Sequence, residues 1–449
     1  MKRIAVIGGN AAGPGAAAKA KRVDPSAEVV LFEKGPFIST GTCELPYLIS
    51  GDIKDHSDII FYNEDSFFQE KNVKVFTNHL VEQIDRREKR IFIRNLKADS
   101  LFDYSFDKIV IAAGSTPLKH PSFTKKFKNV FYLKNVSDFL RIKEYTQSNK
   151  TKRVLVIGAG YIGIEAAEAF KVSGCEVDLL ERENLPFPSM DEEVRFLSLE
   201  ILKQNGIEFK GGIKDLSVFD DGEKVTRVKY DSVSYEYDLI LISAGFEPEV
   251  QLALGARLNL GRSGGIQTDN RLRTSDQNIF AAGDCIEVIN RITGKPEFMP
   301  LATLAHQQGH IAGANAAGEN LISEPVIKNT AVKIFDRVLV SVGLNSQQAS
   351  EAGFRIASVN AVLPNLVKVM PASRKVFGKI IFEKGSRRIL GAQFLGEREA
   401  VSYGDIISSL IYQKSDASLL AKFNYNYTPP CSPFINLLSV LGRKIEGQR

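Results

Sequence analysis

One arrangement occurs twice in this chain and limits what it can fold into. The apolar run RIAVI at 3–7 leads into GGNAAGPGAAAKAKR, a glycine turn followed by an alanine-rich helix, and EVVLFE then brings a second strand ending at Glu33. From Lys152 the pattern returns as KRVLVI, GAGYIGIEAAEAF and CEVDLLE, ending at Glu181, with Gly158 lying 150 residues after Gly8. Both copies close alike. FDKIVIAAGSTP at 106–117 and YDLILISAGFEP at 237–248 each run an apolar strand into Ala-Gly and then proline. A β-α-β repeat at this scale predicts an α/β fold with two Rossmann-like, nucleotide-binding lobes.

The residue types in the turns follow from phosphate chemistry. In GAGYIGIE, Gly158 makes the tight turn, Gly160 lets backbone approach a pyrophosphate, and Gly163 lets helix pack on strand. The helix N-terminus adds partial positive charge. Glu181, 23 residues after Gly158, is placed to accept hydrogen bonds from an adenosine ribose. A carboxylate there repels a 2′-phosphate, which favours NADH over NADPH, while Arg182 pulls the other way. The first copy is less regular, because Asn10 takes the central glycine position of G-G-N-A-A-G. Its candidate cofactor contacts are Gly8, Gly9, Ala12 and Gly13 in the turn, Glu33 and Lys34 at the strand end, and Ala113 and Gly114 in AAGSTP. A third segment, TSDQNIFAAGDC at 274–285, delivers Gly283 and Asp284 on a glycine turn. An aspartate there suits the hydroxylated ribityl chain of a flavin, or it simply closes an Asx-turn.

The 449 residues suffice for about three domains, and the net charge of +5 is carried in no long basic block. Nucleic acid binding therefore gets no support. IAVI is too short for a secretory apolar segment, and no run reaches the ~20 apolar residues that span a bilayer, so a soluble, cytoplasmic protein without a membrane partner is expected. Cys43, Cys175, Cys285 and Cys431 form no C-x-x-C pair, which leaves no local dithiol and predicts no metal site.

With these motifs in place, the sequence resembles the FAD-dependent pyridine nucleotide-disulfide oxidoreductases. GGNAAG with Glu33, C-x-L-P-Y-x-x-S-G at Cys43, AAGSTP, GAGYIGIE with Glu181, IFAAGDC and a C-terminal YTPP occur in that family's order. No second cysteine lies near Cys43, which is similar to the single-cysteine branch of coenzyme A-disulfide reductases, NADH oxidases, NADH peroxidases and persulfide or polysulfide reductases. The resemblance implies FAD, NADH or NADPH, and a homodimer. It also implies an FAD domain at 1–112, an NAD(P) domain at 113–245, a return to the FAD domain at 246–324 and a dimerisation domain at 325–449. Read from the residues, that last part is α+β, with strand-like runs in AVKIFDRVLVSVGL and KVFGKIIFEKGSRRILGAQFLG and a helix over 402–422.

Cys43 lies in ISTGTCELPYLISGD, where Pro46 suits the first turn of a short helix that Gly51 ends. A sulfur near a helix N-terminus is expected to have a lowered pKa. By position alone a solitary cysteine is more often inert core; the resemblance makes Cys43 the redox nucleophile. It implies that NADH reduces the flavin, which reduces a Cys43 disulfide or sulfenic acid, and that Cys43 thiolate then attacks a substrate disulfide or persulfide. It further implies Glu165 and Tyr161 near the nicotinamide and flavin, Tyr161 as a movable cover, and Tyr427 reaching the partner subunit's active site. For the substrate it implies Lys19 and Arg22 as cationic contacts to coenzyme A, with Ser39 and Thr42 beside the thiol.

The chain departs from the family in several places. Thr40 replaces a phenylalanine, Glu44 replaces a glycine, a second tyrosine is missing near Met370, and Ala11 stands where peroxidases carry a histidine. Peroxide turnover is thereby disfavoured, while oxygen as acceptor, and a redox-responsive FAD-binding protein, stay as competing readings. Cys431, in TPPCSP, is either a small filler or a cross-dimer partner for Cys43. His306 and His310 share a helix face and are read as helix packing, as is GHIAGANAAG.

Overall fold

A computed structural model describes residues 1–447. The two β-α-β repeats become two parallel five-stranded sheets of the same design. The first runs Ile279–Ala281, Lys108–Ile111, Arg3–Ile7, Glu28–Phe32, Lys74–Phe76. The second runs Val130–Phe131, Leu239–Ile242, Arg153–Ile157, Glu176–Leu180, Glu208–Lys210. In each, the opening strand of the repeat sits in the middle and is covered on both faces, which explains unbroken apolar runs in place of alternation. Ile4, Ala5 and Val6 in one sheet and Val154, Leu155 and Val156 in the other have no exposed surface.

Each central strand feeds a glycine turn and a helix, α1 (Ala12–Val23) and, in the second lobe, the helix Tyr161–Val172. Before its last strand each lobe also carries a three-stranded antiparallel meander, His79–Asp85 with Arg90–Asn95 and Ser100–Ser105, then Ser217–Asp220 with Val225–Tyr230 and Val233–Tyr235. Cys43 belongs to a short helical turn that runs into α2 (Leu45–Ser50). We denote Tyr161–Val172 as α3, against which α2 packs, and Ala302–Ala317 as α4. Backbones of α1 and α4 touch: a Cβ on Gly309 would lie 2.2 Å from the Ala12 carbonyl oxygen, and one on Gly313 2.1 Å from that of Ala16. The small residues of GHIAGANAAG serve that approach.

The C-terminal part is an antiparallel sheet ordered Asn329–Ile334, Arg337–Gly343, Ile389–Gly396, Lys375–Glu383, Ile356–Pro364. Helices Glu399–Tyr412 and Leu437–Glu446 cover it with Ile407, Leu438 and Leu441 fully buried. The helix expected over 402–422 is therefore shorter. It stops because Lys414 turns left-handed at φ 54° and Ser415 donates back to the Leu410 carbonyl, which is the hydrogen-bonded end of a helix. Among the described residues no helix is long and apolar enough to cross a membrane, and no group of three or more His, Cys, Asp or Glu is placed to hold a metal.

Candidate active site

The two glycine turns are built on the same contacts. Gly8 N–H donates to the Phe32 carbonyl and Gly158 N–H to that of Leu180, both at 2.8 Å. Gly8 and Gly158 have φ of 112° and 101°, open to glycine and strained for any other residue. A Cβ on Gly13 would sit 1.7 Å from the Gly8 carbonyl oxygen, and one on Gly163 1.8 Å from that of Gly158. Substituting either forces helix away from strand. The acidic residue that ends each second strand is held by the turn. Glu33 accepts from Gly9 N–H at 2.6 Å and Gly35 N–H at 2.6 Å, and Glu181 from Ala159 N–H at 2.7 Å. Each carboxylate keeps lone pairs for a ribose hydroxyl. Nothing lies within 4 Å of a Cβ placed on Gly160, so backbone there is free to meet a phosphate. Ala12 is buried, Lys34 is exposed, and Ala113 and Gly114 follow the adjacent strand.

Asp284 is not closing a turn on its own backbone. It accepts from Ser115 Oγ at 2.9 Å, and Lys134 Nζ lies 2.8 Å from that hydroxyl and 3.4 Å from the carboxylate. The segments AAGSTP and AAGDC are thus cross-tied by a lysine that sequence reading did not single out. Gly283 N–H donates to the buried Gln308 side chain at 3.0 Å. These donors, the glycine cradle and Glu33 form a set suited to a dinucleotide such as FAD.

The cysteine loop is fastened to the first glycine turn. Ser39, at φ 50°, donates its N–H to the Gly9 carbonyl at 2.7 Å. Thr40 donates both its N–H, at 2.9 Å, and its hydroxyl, at 3.2 Å, to the Asn10 side chain. The irregular residue of the first glycine turn, Asn10, and the departure from the family pattern at Thr40 therefore answer each other. Thr42, Cys43 and Glu44 form one helical turn, Pro46 falls in the first turn of α2, and Gly51 ends it left-handed at φ 83°. Cys43 reaches the surface, yet its thiol is pushed up rather than down. Burial by the surrounding protein is the main cause; Glu44, Glu165 and Asp284 act with it and Lys134 against it. The lowered pKa expected from the helix is not found: burial, with the carboxylates at its start, outweighs the dipole of the six-residue α2.

Glu165 and Tyr161 lie on α3. Burial and the neighbouring Glu168 raise Glu165 to about 7, against the pull of Lys333. Glu168 itself accepts from Lys333 Nζ at 2.6 Å and Phe335 N–H at 2.5 Å. A narrow cleft between α2 and α3 is lined by Pro46, Tyr47, Glu165, Glu168 and Lys333. Tyr161 lies edge-on to Phe187 at 5.7 Å and its hydroxyl is 2.8 Å from Thr330 Oγ1.

His306 and His310 pack from α4 against Gly15 of α1. Their ring centroids lie 4.3 Å apart in a tilted arrangement, and burial, reinforced by His306, Arg22 and Lys19, holds His310 below the ordinary imidazole range. Neighbours so far apart in the chain leave no local signal. Tyr427 and Cys431 are both exposed, Tyr427 packs edge-on against Phe434 at 5.3 Å, and among the described residues no hydrogen bond links that segment to Cys43. Cys175 is half-buried, and Cys285 is buried, with its thiol on the Ala282 carbonyl at 3.4 Å.

Two nucleotide cradles, a cysteine loop bound to the first and an antiparallel C-terminal sheet define an FAD- and NAD(P)-dependent oxidoreductase, and the chain belongs to the pyridine nucleotide-disulphide oxidoreductase family. That family's model matches residues 2–309, and the model of its dimerisation domain matches 330–436. The chain is 30% identical over 431 residues to an NADH oxidase of Methanocaldococcus jannaschii, covering 96% of this chain and 95% of the relative. It is 29% identical over 455 residues to an NAD(P)H coenzyme A polysulfide/persulfide reductase of Pyrococcus horikoshii, covering 99% and 98%. Among solved structures, an NAD-dependent persulfide reductase from A. fulgidus superposes with a TM-score of 0.94 at 32% identity, over 100% of this chain and 83% of that one.

Proposed function

We propose that this protein uses NAD(P)H to reduce a low-molecular-weight disulfide, persulfide or polysulfide through Cys43. The observation that carries the reading is the attachment of the Cys43 loop to the first glycine turn through Ser39 and Asn10, with Glu165, Asp284 and Lys134 close enough to act on the sulfur. Gly8, Gly9, Ala12, Gly13, Glu33, Lys34, Ala113, Gly114, Gly283 and Asp284 would hold FAD, and Gly158, Gly160, Tyr161, Gly163 and Glu181 would hold the nicotinamide nucleotide. Bound together, these cofactors supply a two-electron relay from NAD(P)H to sulfur.

The rest is the work of side chains. Cys43 thiolate attacks one sulfur of the substrate and expels the other as thiolate or sulfide, leaving a mixed disulfide that two further electrons resolve. One protein sulfur suffices because the second comes from the substrate. With its thiol pushed up, Cys43 needs a proton acceptor, and Glu165, poised at about 7, is the carboxyl able to take or return that proton near neutral pH. Lys19 and Arg22 supply positive charge for the phosphates of a coenzyme A-type substrate, with Ser39 and Thr42 nearer the thiol. The exposed Tyr427, Cys431 and Phe434 suit a segment that reaches the second copy of a homodimer. We assign residues 1–112 and 246–324 to the FAD domain, 113–245 to the NAD(P) domain and 325–449 to dimerisation, and place the protein in the cytoplasm.

Oxygen as acceptor is a second reading, favoured by the NADH oxidase relative. Anaerobic NADH consumption with coenzyme A disulfide, polysulfide or persulfide, set against aerobic consumption without them, separates the two. Turnover that needs oxygen and ignores every sulfur acceptor would overturn the first.

A further inference from the structure

The nicotinamide cover implied at Tyr161 is tied to the C-terminal domain. Tyr161 opens α3 directly after Gly160, the open position of the second glycine turn. Its hydroxyl meets Thr330 Oγ1, on the edge strand Asn329–Ile334, at 2.8 Å, and the Ser189 hydroxyl faces the same phenol. Its ring lies on Phe187, which is fully buried and held at φ 52°, a left-handed conformation costly for a bulky side chain.

That strained backstop is fixed from several sides. Phe187 N–H donates to the Ala159 carbonyl at 2.9 Å, and Arg195 donates to the carbonyls of Leu185 and Pro186 at 2.8 and 3.0 Å. Asn345 donates to the Ser189 carbonyl at 2.9 Å. Asp191 accepts from Ser346 Oγ at 2.8 Å and pairs with the buried Lys379 at 2.9 Å. The loop that backs Tyr161 is thus anchored to the C-terminal domain, and the phenol's own link to that domain is the Thr330 hydroxyl.

We infer that Thr330 is a positioning residue: its hydroxyl latches Tyr161 in the covering position against Phe187, and a nicotinamide entering the site must break that bond. The inference rests on the reading of Tyr161 as a cover. Because opening then competes with nucleotide binding, loss of one hydrogen bond shifts apparent affinity by the strength of that bond.

The test is calorimetric titration of the FAD-containing dimer with NAD⁺, joined to anaerobic stopped-flow reduction by NADH. Thr330→Val should bind NAD⁺ about three- to tenfold more tightly than the wild type. Thr330→Ser, which keeps the hydroxyl, should match the wild type. Tyr161→Phe, which also loses the Ser189 contact, should tighten binding at least as much as Thr330→Val, and the double variant should gain nothing over Tyr161→Phe. Unchanged affinity in a folded Thr330→Val, or additive effects in the double variant, would overturn the latch. A wild type whose flavin NADH fails to reduce would overturn the proposed function instead, while the NAD⁺ titration still reports on the Tyr161–Thr330 bond.

Discussion

The two glycine turns share backbone geometry and differ in what closes them. In the first, the central position is Asn10, whose side chain recruits the cysteine loop through Thr40. In the second, Gly160 stands at that position and faces open space, and the next residue is Tyr161. One motif thus yields a walled cradle, suited to a prosthetic group that stays, and an open one, suited to a nucleotide that exchanges. The neighbours of the turn make that distinction.

The largest expected effect concerns what the walled cradle serves. Cys43→Ser should lower sulfur-acceptor turnover by at least about a thousandfold while leaving any direct oxygen consumption in place, measured as NADH oxidation with and without oxygen. Disulfide reduction at the wild-type rate would break the mechanism. Next, Gly13→Ala and Gly160→Ala probe the two turns directly. The first drives a Cβ into the Gly8 carbonyl and should cost more than about 3 kcal/mol with loss of bound FAD; the second should keep the melting temperature and weaken only NADH binding. Equal damage from both would show that Gly160 is as tightly packed as Gly13 and that the second turn is not open.

A smaller effect comes from Glu165, raised to about 7 by burial and by Glu168. A carboxyl whose folded pKa lies above its unfolded value binds its proton more tightly when folded, so its contribution to stability is greatest below the unfolded value and falls as pH rises toward 7. Glu165→Gln should therefore be more stable than the wild type above pH 7, by at most about 3 kcal/mol, and lose that advantage near pH 4. Chemical denaturation across pH reads this out, and a constant difference would show that Glu165 is not the group titrating. The smallest effect is Asn10→Gly, which makes the first turn more regular yet strips Thr40 of its acceptor. We expect it to be less stable by about 1 kcal/mol and to release FAD more readily, measured by denaturation and flavin fluorescence.

Much of the scaffold was legible because its signals are local. The glycine turns with Glu33 and Glu181, the buried parallel strands, and Pro46 and Gly51 bounding the helix after Cys43 are each specified within a few residues. The C-terminal helix was overextended because the left-handed Lys414 that ends it has no glycine to advertise it. At Cys43 the helix dipole and the opposing Glu44 carboxylate are both visible in sequence, whereas the burial that chiefly raises the thiol, and Glu165 and Asp284 beside it, arise only through folding.

By itself the sequence determined the two β-α-β units, the position of each phosphate-binding turn and the solitary cysteine beside the first, since these follow from glycine conformation and from runs of apolar residues. Tertiary structure alone decided that Lys134 and Ser115 converge on Asp284, that His306 and His310 meet Lys19 and Arg22, and that Tyr161 rests between Phe187 and Thr330. The reason is physical: hydrogen bonds and charge act over a few ångströms of space, and no local pattern records which distant segments packing will bring within that reach.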